Sequence, residues 1–302
     1  SEDMHKWVNA NLKYEDKNFT IQAKLKGVHE DHWKHPLKWS FKVKMSDKEE
    51  KTLFNLKRFS VQHAKTRGYL HEWLFMKVLE EEGLIAHRTK FVNLVINGNN
   101  LGIYNLEEQH SKELLEANNR REGPIIGFNK NLWIKEANNI NKLGINNLDG
   151  SFWRSEIKPV QFKDSKKNTE QELYLNEAIT LLENFRQNSK KLSEIFDLDQ
   201  LSKLMAAKAV MGSIEFDWRD LKFYYNPLTK LLEPIGREVH IDLNQSQMNT
   251  WWVDLSPVNF AHSSDQRYFL SLLFRDKFFF EKYLKDLSRM SKKNYVRQII
   301  SK

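Results

Sequence analysis

The chain has 302 residues, enough for one large domain or for two lobes around a substantial core. Its 48 basic and 40 acidic residues give a net charge of +8, and the scattered lysines favour a solvated surface over a nucleic-acid-binding patch. It has no cysteine and no apolar run of about 18 residues, which excludes disulfides, thiolate chemistry and a transmembrane segment in this chain.

The compartment stays open at this level. The sequence starts at Ser1 without an initiator methionine, so a cytoplasmic protein and an exported protein with a trimmed leader are both compatible with it. Nothing in the composition indicates an oligomeric state.

The first part of the chain alternates apolar and polar residues, as strands with one buried face do. Phe19 to Leu25 and Trp39 to Met45 predict two strands. Leu53 to Val61 predicts a third, with Lys57 and Arg58 at its centre.

A helix and a hairpin follow these strands. Arg67 to Glu82 predicts an amphipathic helix, and Gly83 is a typical helix terminator. Phe91 to Ile96 and Leu101 to Leu106 flank the turn signal Asn97-Gly98, which predicts a β-hairpin. The predicted order is therefore three strands, one helix and two strands.

The remainder is predicted to be mostly helical, apart from an Asn- and Gly-rich stretch over 123–150 that predicts a loop. The predicted helices cover 107–120, Gln171 to Gln187, Leu201 to Met211 with Asp199 as its cap, and the segment from Asp265 to Ile300.

A second hairpin carries acidic residues at both ends. Leu221 to Tyr225 and Leu231 to Ile235 predict its strands, with Asn226-Pro227 at the turn. Because a hairpin brings its two ends together, the flanking acids are expected to converge, and crowded carboxylates repel unless a cation such as Mg²⁺ or Ca²⁺ joins them. The alternative is a solvated hairpin with ordinary surface acids. The acids are Asp217, Asp220, Glu238 and Asp242.

Several motifs of the chain resemble the CotH family of spore-coat proteins. The resemblance covers roughly residues 20 to 245 and is clearest where Asn97-Gly98 is followed by Gly102-Ile103-Tyr104-Asn105-Leu106-Glu107-Glu108. The other matching segments are Leu25-Lys26-Gly27, Lys38-Trp39-Ser40-Phe41-Lys42-Val43-Lys44, Leu56-Lys57-Arg58-Phe59-Ser60 and Leu84 to Val92.

This resemblance implies an α+β, bilobal, protein-kinase-like fold, with an antiparallel sheet lobe over 1–107 and a mostly helical lobe over 108–302 that contains the carboxylate hairpin. It implies ATP and Mg²⁺ (or Mn²⁺ or Ca²⁺) as cofactors and a bacterial enzyme that transfers phosphate to a Ser or Thr of an unidentified protein substrate.

The resemblance also assigns roles at the hairpin. Asp217 corresponds to the group that orients or deprotonates the acceptor, and Asp220 and Glu238 are the candidate metal ligands. Asp242 is either a substitute metal ligand or a surface acid. Two of them depart from the family pattern, since Asp220 stands where Asn is usual and Glu238 where Asp is usual. A longer arm and an added charge alter a Mg²⁺ site, so the implied activity is altered or lost.

In the first lobe, a kinase-like fold needs a cation beside the phosphates. Lys57 and Arg58 are candidates, of which only one can face the cleft because neighbouring strand residues point to opposite faces. Lys38 is a third. The remaining candidates are acids: Glu72, which either pairs with the strand cation or is a solvated helix acid, and the neighbours Glu107 and Glu108, where adenine usually binds.

Three functional hypotheses follow. The first is the kinase. The second is a degenerate pseudokinase that acts as a coat or scaffold interaction protein. The third is another nucleotide-dependent modification on the same fold, such as adenylylation or glutamylation.

Overall fold

The computed structural model describes residues 6–27, 32, 35–46, 52–136, 150–160, 169–213, 218–237, 239 and 264–301. The protein is a mixed α+β structure that divides into two compact units. The first unit contains Ser1–Met76 and His87–Ala117, and the second contains Lys77–Ala86 and Asn118–Lys302. The chain therefore leaves the first unit at Met76, returns to it at His87 and leaves it again after Ala117, ten residues beyond the predicted boundary at 107.

The described strands are β1 (Val8–Tyr14), β2 (Lys17–Leu25), β3 (Phe41–Met45), β4 (Arg58–His63), β5 (Ile85–Ala86), β6 (Thr89–Ile96), β7 (Asn99–Glu108), β8 (Ile125–Phe128), β9 (Ile157–Pro159), β10 (Lys222–Asn226) and β11 (Leu231–Gly236). The described helices are α1 (His71–Glu81), α2 (Lys112–Ala117), α3 (131–136), α4 (Ser151–Arg154), α5 (Thr169–Arg186), α6 (Leu198–Val210), α7 (Ser264–Phe274), α8 (Lys277–Met290) and α9 (Lys293–Ile300).

The first unit is built on an antiparallel six-stranded sheet in the order β1-β2-β3-β4-β7-β6. The predicted strands are all present, together with β1, which the sequence did not predict. Asn97 and Gly98 have positive φ values of 49° and 82°, as expected for a two-residue hairpin turn. The predicted elements occur in the predicted order, with two strands added: β1 before them and the short β5, which pairs in the other sheet, between α1 and β6.

Three local predictions were wrong in detail. The third strand begins at Arg58, so Lys57 precedes it. The helix begins at His71, after the 3₁₀ turn Ala64–Arg67. Glu107 and Glu108 end β7 instead of opening a helix, and the helix predicted over 107–120 is reduced to α2.

One face of the first sheet forms the apolar core of its unit. Because side chains alternate along a strand, Phe59 and Val61 of β4 and Tyr104 and Leu106 of β7 share this face. The core also contains Phe19, Ile21, Val43, Met45, Leu53 and Leu56.

The second unit contains a five-stranded sheet in the order β5-β11-β10-β8-β9. The predicted hairpin is confirmed as β10 and β11, with Tyr225 opposite Leu232, and β11 continues the sheet through a parallel pairing with β5. The loop predicted over 123–150 is wrong in part, because β8 and α3 lie within it.

Helices α5 and α6 contact this second sheet, and the described helices of this unit lie largely where they were predicted. In α6 the cap is Asp197, whose side chain accepts hydrogen bonds from the backbone N–H groups of Asp199 and Gln200, so the predicted cap at Asp199 is wrong by two residues. Within the described ranges, no helix is long and apolar enough to cross a membrane.

Candidate functional site

The face of the first sheet opposite the apolar core is polar at its centre. Ser60 and Gln62 of β4 lie opposite Glu107 and Asn105 of β7, respectively, and all four side chains are buried. Strand alternation places them together, because their neighbours Phe59, Val61, Tyr104 and Leu106 occupy the core face. The polar face is therefore a product of the register between two central strands.

The carboxylate of Glu107 is the centre of this polar face. Arg67 donates to it from Nε at 3.1 Å, Lys26 Nζ lies at 3.8 Å, and the amide of Gln62 also donates to it. The side chains of Lys26, Arg67 and Glu107 are 6%, 9% and 1% exposed. At this burial a charge is tolerated only when it is paired and hydrogen-bonded, as Glu107 is.

Asn105 lies beside this cluster and has unused hydrogen-bonding capacity. Its side chain is 1% exposed, and among the described residues neither its amide nitrogen nor its amide oxygen has a hydrogen-bond partner. The Oε1 atom of Gln62 is also buried without a hydrogen-bond partner among the described residues. Buried polar atoms are nearly always satisfied, so such atoms on one face mark a candidate ligand contact.

The register places the two predicted strand cations differently. Arg58 lies on the same face of β4 as Ser60 and Gln62, two and four residues further on, and it is half-buried. Lys57 lies outside the strand with its side chain 62% exposed and pairs with Glu113 at 3.9 Å. The structure therefore brings Arg58 to the polar face and excludes Lys57 from it.

Lys38, the third predicted cation, is on the other side of the sheet. Its Nζ atom lies 3.7 Å from the position that a Cβ on Gly102 would occupy. Gly102 precedes Tyr104 by two residues and so shares the face opposite Glu107. Lys38 also lowers the pKa of His63, after the larger effect of burial of that imidazole.

The other two predicted acids of the first unit, Glu72 and Glu108, are also buried. Glu72 is fully buried in the first turn of α1, so the reading as a solvated helix acid is wrong. Glu108 points away from Glu107 and forms a two-pronged ion pair with Arg88, at 2.5 and 2.9 Å, which identifies it as a structural residue.

In the second unit, the hairpin residue Asp220 is half-buried, and its Oδ1 atom accepts from Lys130 Nζ at 2.9 Å. The other predicted acids, Asp217, Glu238 and Asp242, lie outside the described residues. Their predicted convergence with Asp220 therefore stays a prediction.

Asp220 borders a basic pocket, a cavity of about 280 Å³ within the second unit. Among the described residues its charged lining consists of this one carboxylate and five cations, and its uncharged walls come from the ends of β8 and β9 and the residues that follow them. The cations are Lys130, Lys158, Arg219, Lys222 and Arg237. The described lining therefore contains more basic than acidic side chains.

The chain matches the family model described as CotH kinase protein over residues 25–292. The chain belongs to the CotH kinase family. The match extends beyond the region in which the motifs resemble that family, and it spans most of both units. A comparison with curated proteins finds no match.

CotH kinase membership favours a kinase-like fold and a kinase-type function. The described residues by themselves do not fit a divalent-cation site, because no group of three potential ligands occurs among them and Asp220 is paired with Lys130. The acids that the sequence adds to Asp220 for such a site, Asp217, Glu238 and Asp242, lie outside the described residues.

The sequence interpretation missed the two cations that contact Glu107. Lys26 follows β2 and Arg67 ends the 3₁₀ turn after β4. Lys26 lies in the CotH motif Leu25-Lys26-Gly27, which was a usable signal. Arg67 carried none, because its contact with Glu107 spans 40 residues and depends on the turn between β4 and α1.

Proposed function

We propose that this member of the CotH kinase family is an ATP-dependent protein kinase that transfers phosphate to a Ser or Thr hydroxyl of a protein. The observation that carries the proposal is the family match over residues 25–292. The polar face of the first sheet supports the proposal. This face combines charged groups held in fixed positions with amide atoms that have no hydrogen-bond partner among the described residues.

The first unit would contribute nucleotide contacts from β4 and β7. Arg58 supplies a positive charge on the polar face, and Asn105 supplies a donor and an acceptor. Arg67 and Lys26 neutralise Glu107 and so hold the middle of this face in place. These roles replace those that the sequence suggested for Lys57 and Lys38.

The second unit would contribute the chemistry. Asp217 would orient the acceptor hydroxyl and take its proton as the hydroxyl oxygen bonds to the γ-phosphorus of ATP, while the bond from that phosphorus to the bridging oxygen breaks and ADP leaves. Asp220, Glu238 and Asp242 would hold a divalent cation, Mg²⁺ or alternatively Mn²⁺ or Ca²⁺, which supplies charge neutralisation on the phosphates. Phosphoryl transfer requires mainly such positioning, so the departures at Asp220 and Glu238 affect its rate directly.

The test combines a thermal shift with intact-mass analysis. At ATP and Mg²⁺ concentrations about a hundredfold above the dissociation constant, the native state should gain about 2.7 kcal/mol. Incubation with a mixed protein substrate should then add the mass of one phosphoryl group to it. Asp217→Asn should keep the thermal shift and lose the transfer. Addition of AMP or glutamate instead of phosphate would overturn the kinase in favour of adenylylation or glutamylation.

A second function, as a degenerate pseudokinase with a coat or scaffold binding role, is favoured by one contact. Lys130 Nζ lies 2.9 Å from the Asp220 carboxylate, so a metal cation that bound Asp220 would have to compete with this ammonium group. One experimental result distinguishes the kinase from the binding protein. A binding protein shows no thermal shift with millimolar ATP and either Mg²⁺ or Mn²⁺, and Glu238→Asp, which restores the usual residue, does not produce one.

A further inference from the structure

One row of side chains on the polar face of the first sheet is buried at one end and exposed at the other. In the strand register, Gln62 of β4 lies opposite Asn105 of β7, and Asn105 lies opposite Phe91 of β6. Opposed side chains on one face have Cβ atoms about 4.5–5.5 Å apart, so these three are neighbours. Gln62 and Asn105 are buried, whereas Phe91 is 37% exposed. The row therefore runs from the centre of the sheet to its edge strand β6.

Two amide groups of this row have hydrogen-bonding atoms that are not used. Among the described residues, neither the amide nitrogen nor the amide oxygen of Asn105 has a partner, and the same holds for Oε1 of Gln62. The other end of the Gln62 amide faces the carboxylate of Glu107. A carboxylate only accepts, so the atom facing it is the amide nitrogen, and the remaining atom is the oxygen. The row thus presents one donor group and two acceptors side by side.

These buried amides need a physical explanation, because buried polar atoms in native proteins nearly always have a partner. Apolar residues suit the same two strands, since Phe59, Val61, Tyr104 and Leu106 fill their opposite face. Polar groups at the centre of the sheet are explained if an ordered water or a ligand supplies the missing hydrogen bonds. A ligand is favoured here, because the row continues to an exposed aromatic ring on the edge strand.

The pattern of donor and acceptors distinguishes between the bases of a nucleotide. Adenine has the acceptor N7 beside an exocyclic amine, N6, whereas guanine has the carbonyl oxygen O6 in place of that amine. The amide of Asn105 is complementary to N7 and N6 of adenine, a pairing that Asn commonly forms. Oε1 of Gln62 is an acceptor for the second hydrogen of N6. In guanine, O6 would meet two oxygen acceptors and would be repelled.

The exposed end of the row suits the flat surface of a base. Phe91 offers an aromatic ring next to Asn105, and exposed side chains of this kind change rotamer within nanoseconds. Ile103, two residues before Asn105 on the same face, is 63% exposed. Stacking on an aromatic ring favours every base, so it adds affinity and leaves selection to the hydrogen bonds. A base that enters from the β6 edge therefore meets an apolar surface first and the amides behind it.

We propose that Asn105 and Gln62 select adenine in the nucleotide substrate and that Phe91 packs against the base. The inference rests on the proposed function for the presence of a nucleotide. It adds a reason for the use of ATP rather than GTP, and it assigns that selection to side chains of β4 and β7. The proposal concerns the base alone, so nucleotide binding tests it independently of phosphoryl transfer.

The test measures binding of ADP and two analogues to the full chain by isothermal titration calorimetry, with Mg²⁺ held constant so that only the base differs. The analogue 7-deaza-ADP lacks the N7 acceptor, and IDP has O6 in place of the N6 amine. Asn105→Leu removes the amide at similar volume. The matched control is Asn11→Leu on β1, an exposed Asn on the same face of the same sheet, since Ala10 and Leu12 face the core.

We expect the wild type to bind ADP about tenfold more tightly than either analogue, since each analogue loses part of a paired contact. Asn105→Leu should weaken ADP binding and reduce the preference over both analogues to within about twofold, whereas Asn11→Leu should keep it. Phe91→Leu should weaken all three ligands by a similar factor, about fivefold, because stacking does not depend on N6 or N7. The ratio between ligands separates recognition of the base from a general loss of stability. The wild-type series and Phe91→Leu keep the test valid if Asn105→Leu does not fold.

Three results would overturn the proposal: equal affinity of the wild type for ADP and both analogues, an unchanged preference in Asn105→Leu, or no binding of ADP. Either of the first two would leave the Asn105 amide to an ordered water, and the proposed kinase would stand if ATP still supports transfer. Absence of ADP binding would remove the proposed kinase as well. Selective ADP binding without phosphoryl transfer would overturn the kinase and leave the adenine site in place.

Discussion

Two charged regions of this protein use the same side-chain chemistry in opposite surroundings. On the polar face of the first sheet, Glu107 is held by Arg67 and Lys26, and none of the three side chains is more than 9% exposed. In the basic pocket of the second unit, Lys130 and Asp220 form a pair whose side chains are 47% and 30% exposed.

The difference shows how burial divides the work of charged residues. A buried charge must be satisfied by the protein itself, so the groups around Glu107 are fixed and contribute to the fold. A partly exposed charge is satisfied by water as well, so the Lys130–Asp220 pair is expected to contribute little to the stability of the fold. The first region suits rigid positioning, and the second can rearrange at a smaller energetic cost.

The largest expected effect comes from Glu107→Gln. The change leaves Arg67 and Lys26 buried without their carboxylate, and breaking a buried ion pair costs about 3–5 kcal/mol. The free energy of unfolding, measured by urea denaturation, should fall by that amount. The matched control is Glu116→Gln, which removes an exposed carboxylate in the same unit and should cost about 0–1 kcal/mol. Equal losses of unfolding free energy in the two variants would contradict the contrast between buried and exposed charges.

Glu82 is a buried carboxylate in the second unit. It therefore tests whether burial, or the unit in which a charge lies, determines how much stability is lost when that charge is removed. Arg289 donates to both of its oxygens at 2.6 Å, and the hydroxyl of Tyr295 donates at 2.6 Å. Burial, the largest single effect, would raise the pKa of Glu82, but the hydrogen bonds from Arg289 and Tyr295 and the charges of Arg289 and Lys203 together leave this pKa below its ordinary value.

A lowered folded-state pKa means that the native state favours ionised Glu82, so its contribution is present above the ordinary pKa and is lost as the pH falls through the lowered one. Glu82→Gln should cost about 1–3 kcal/mol near pH 7, discounted because Arg289 is 42% exposed. The difference between wild type and variant should shrink towards about pH 3. Urea denaturation across this range checks it, with Glu281→Gln as the exposed control. A difference independent of pH would assign the loss to packing.

The sequence was sufficient for elements whose pattern is local. Alternation gave the strands that became β2 and β3, and Asn97-Gly98 gave the turn between β6 and β7, since positive φ at both residues is a property of those residues themselves. Where two signals competed, the prediction slipped. In α6, Asp197 and Asp199 are both plausible caps, but the helix begins at Leu198, so Asp197 is the residue whose side chain accepts from the first backbone N–H groups.

The sequence was insufficient for the polar face, which depends on pairing between distant strands. Lys57 and Arg58 are both basic, so the sequence alone does not show which of them lies on the polar face. The start of β4 at Arg58 and the pairing of Ser60 with Glu107 show that it is Arg58. Arg67 reaches the same face through a 3₁₀ turn that has no distinctive sequence signal. Contacts set by register and by irregular turns are the ones that local patterns do not encode.

Asn105→Leu should have a smaller effect, and of the opposite sign. Replacing a buried amide that lacks partners in the described part of the chain removes a desolvation cost, so the free energy of unfolding should change by about 0 to +1 kcal/mol. If Asn105 contacts a nucleotide, the thermal shift with ATP and Mg²⁺ should decrease at the same time. Thr180→Val, which changes a polar side chain on α5, is the control for altered polarity. A large loss of stability would show that Asn105 is structurally engaged.

The smallest expected effect belongs to Lys130→Gln in the basic pocket. Its pair with Asp220 is partly exposed, so the free energy of unfolding should change by about 0–1 kcal/mol, and high salt should reduce even this difference. Lys190→Gln, an exposed lysine outside the pocket, is the control. A loss of about 2 kcal/mol or more would place this pair with Glu107 among the structural charges.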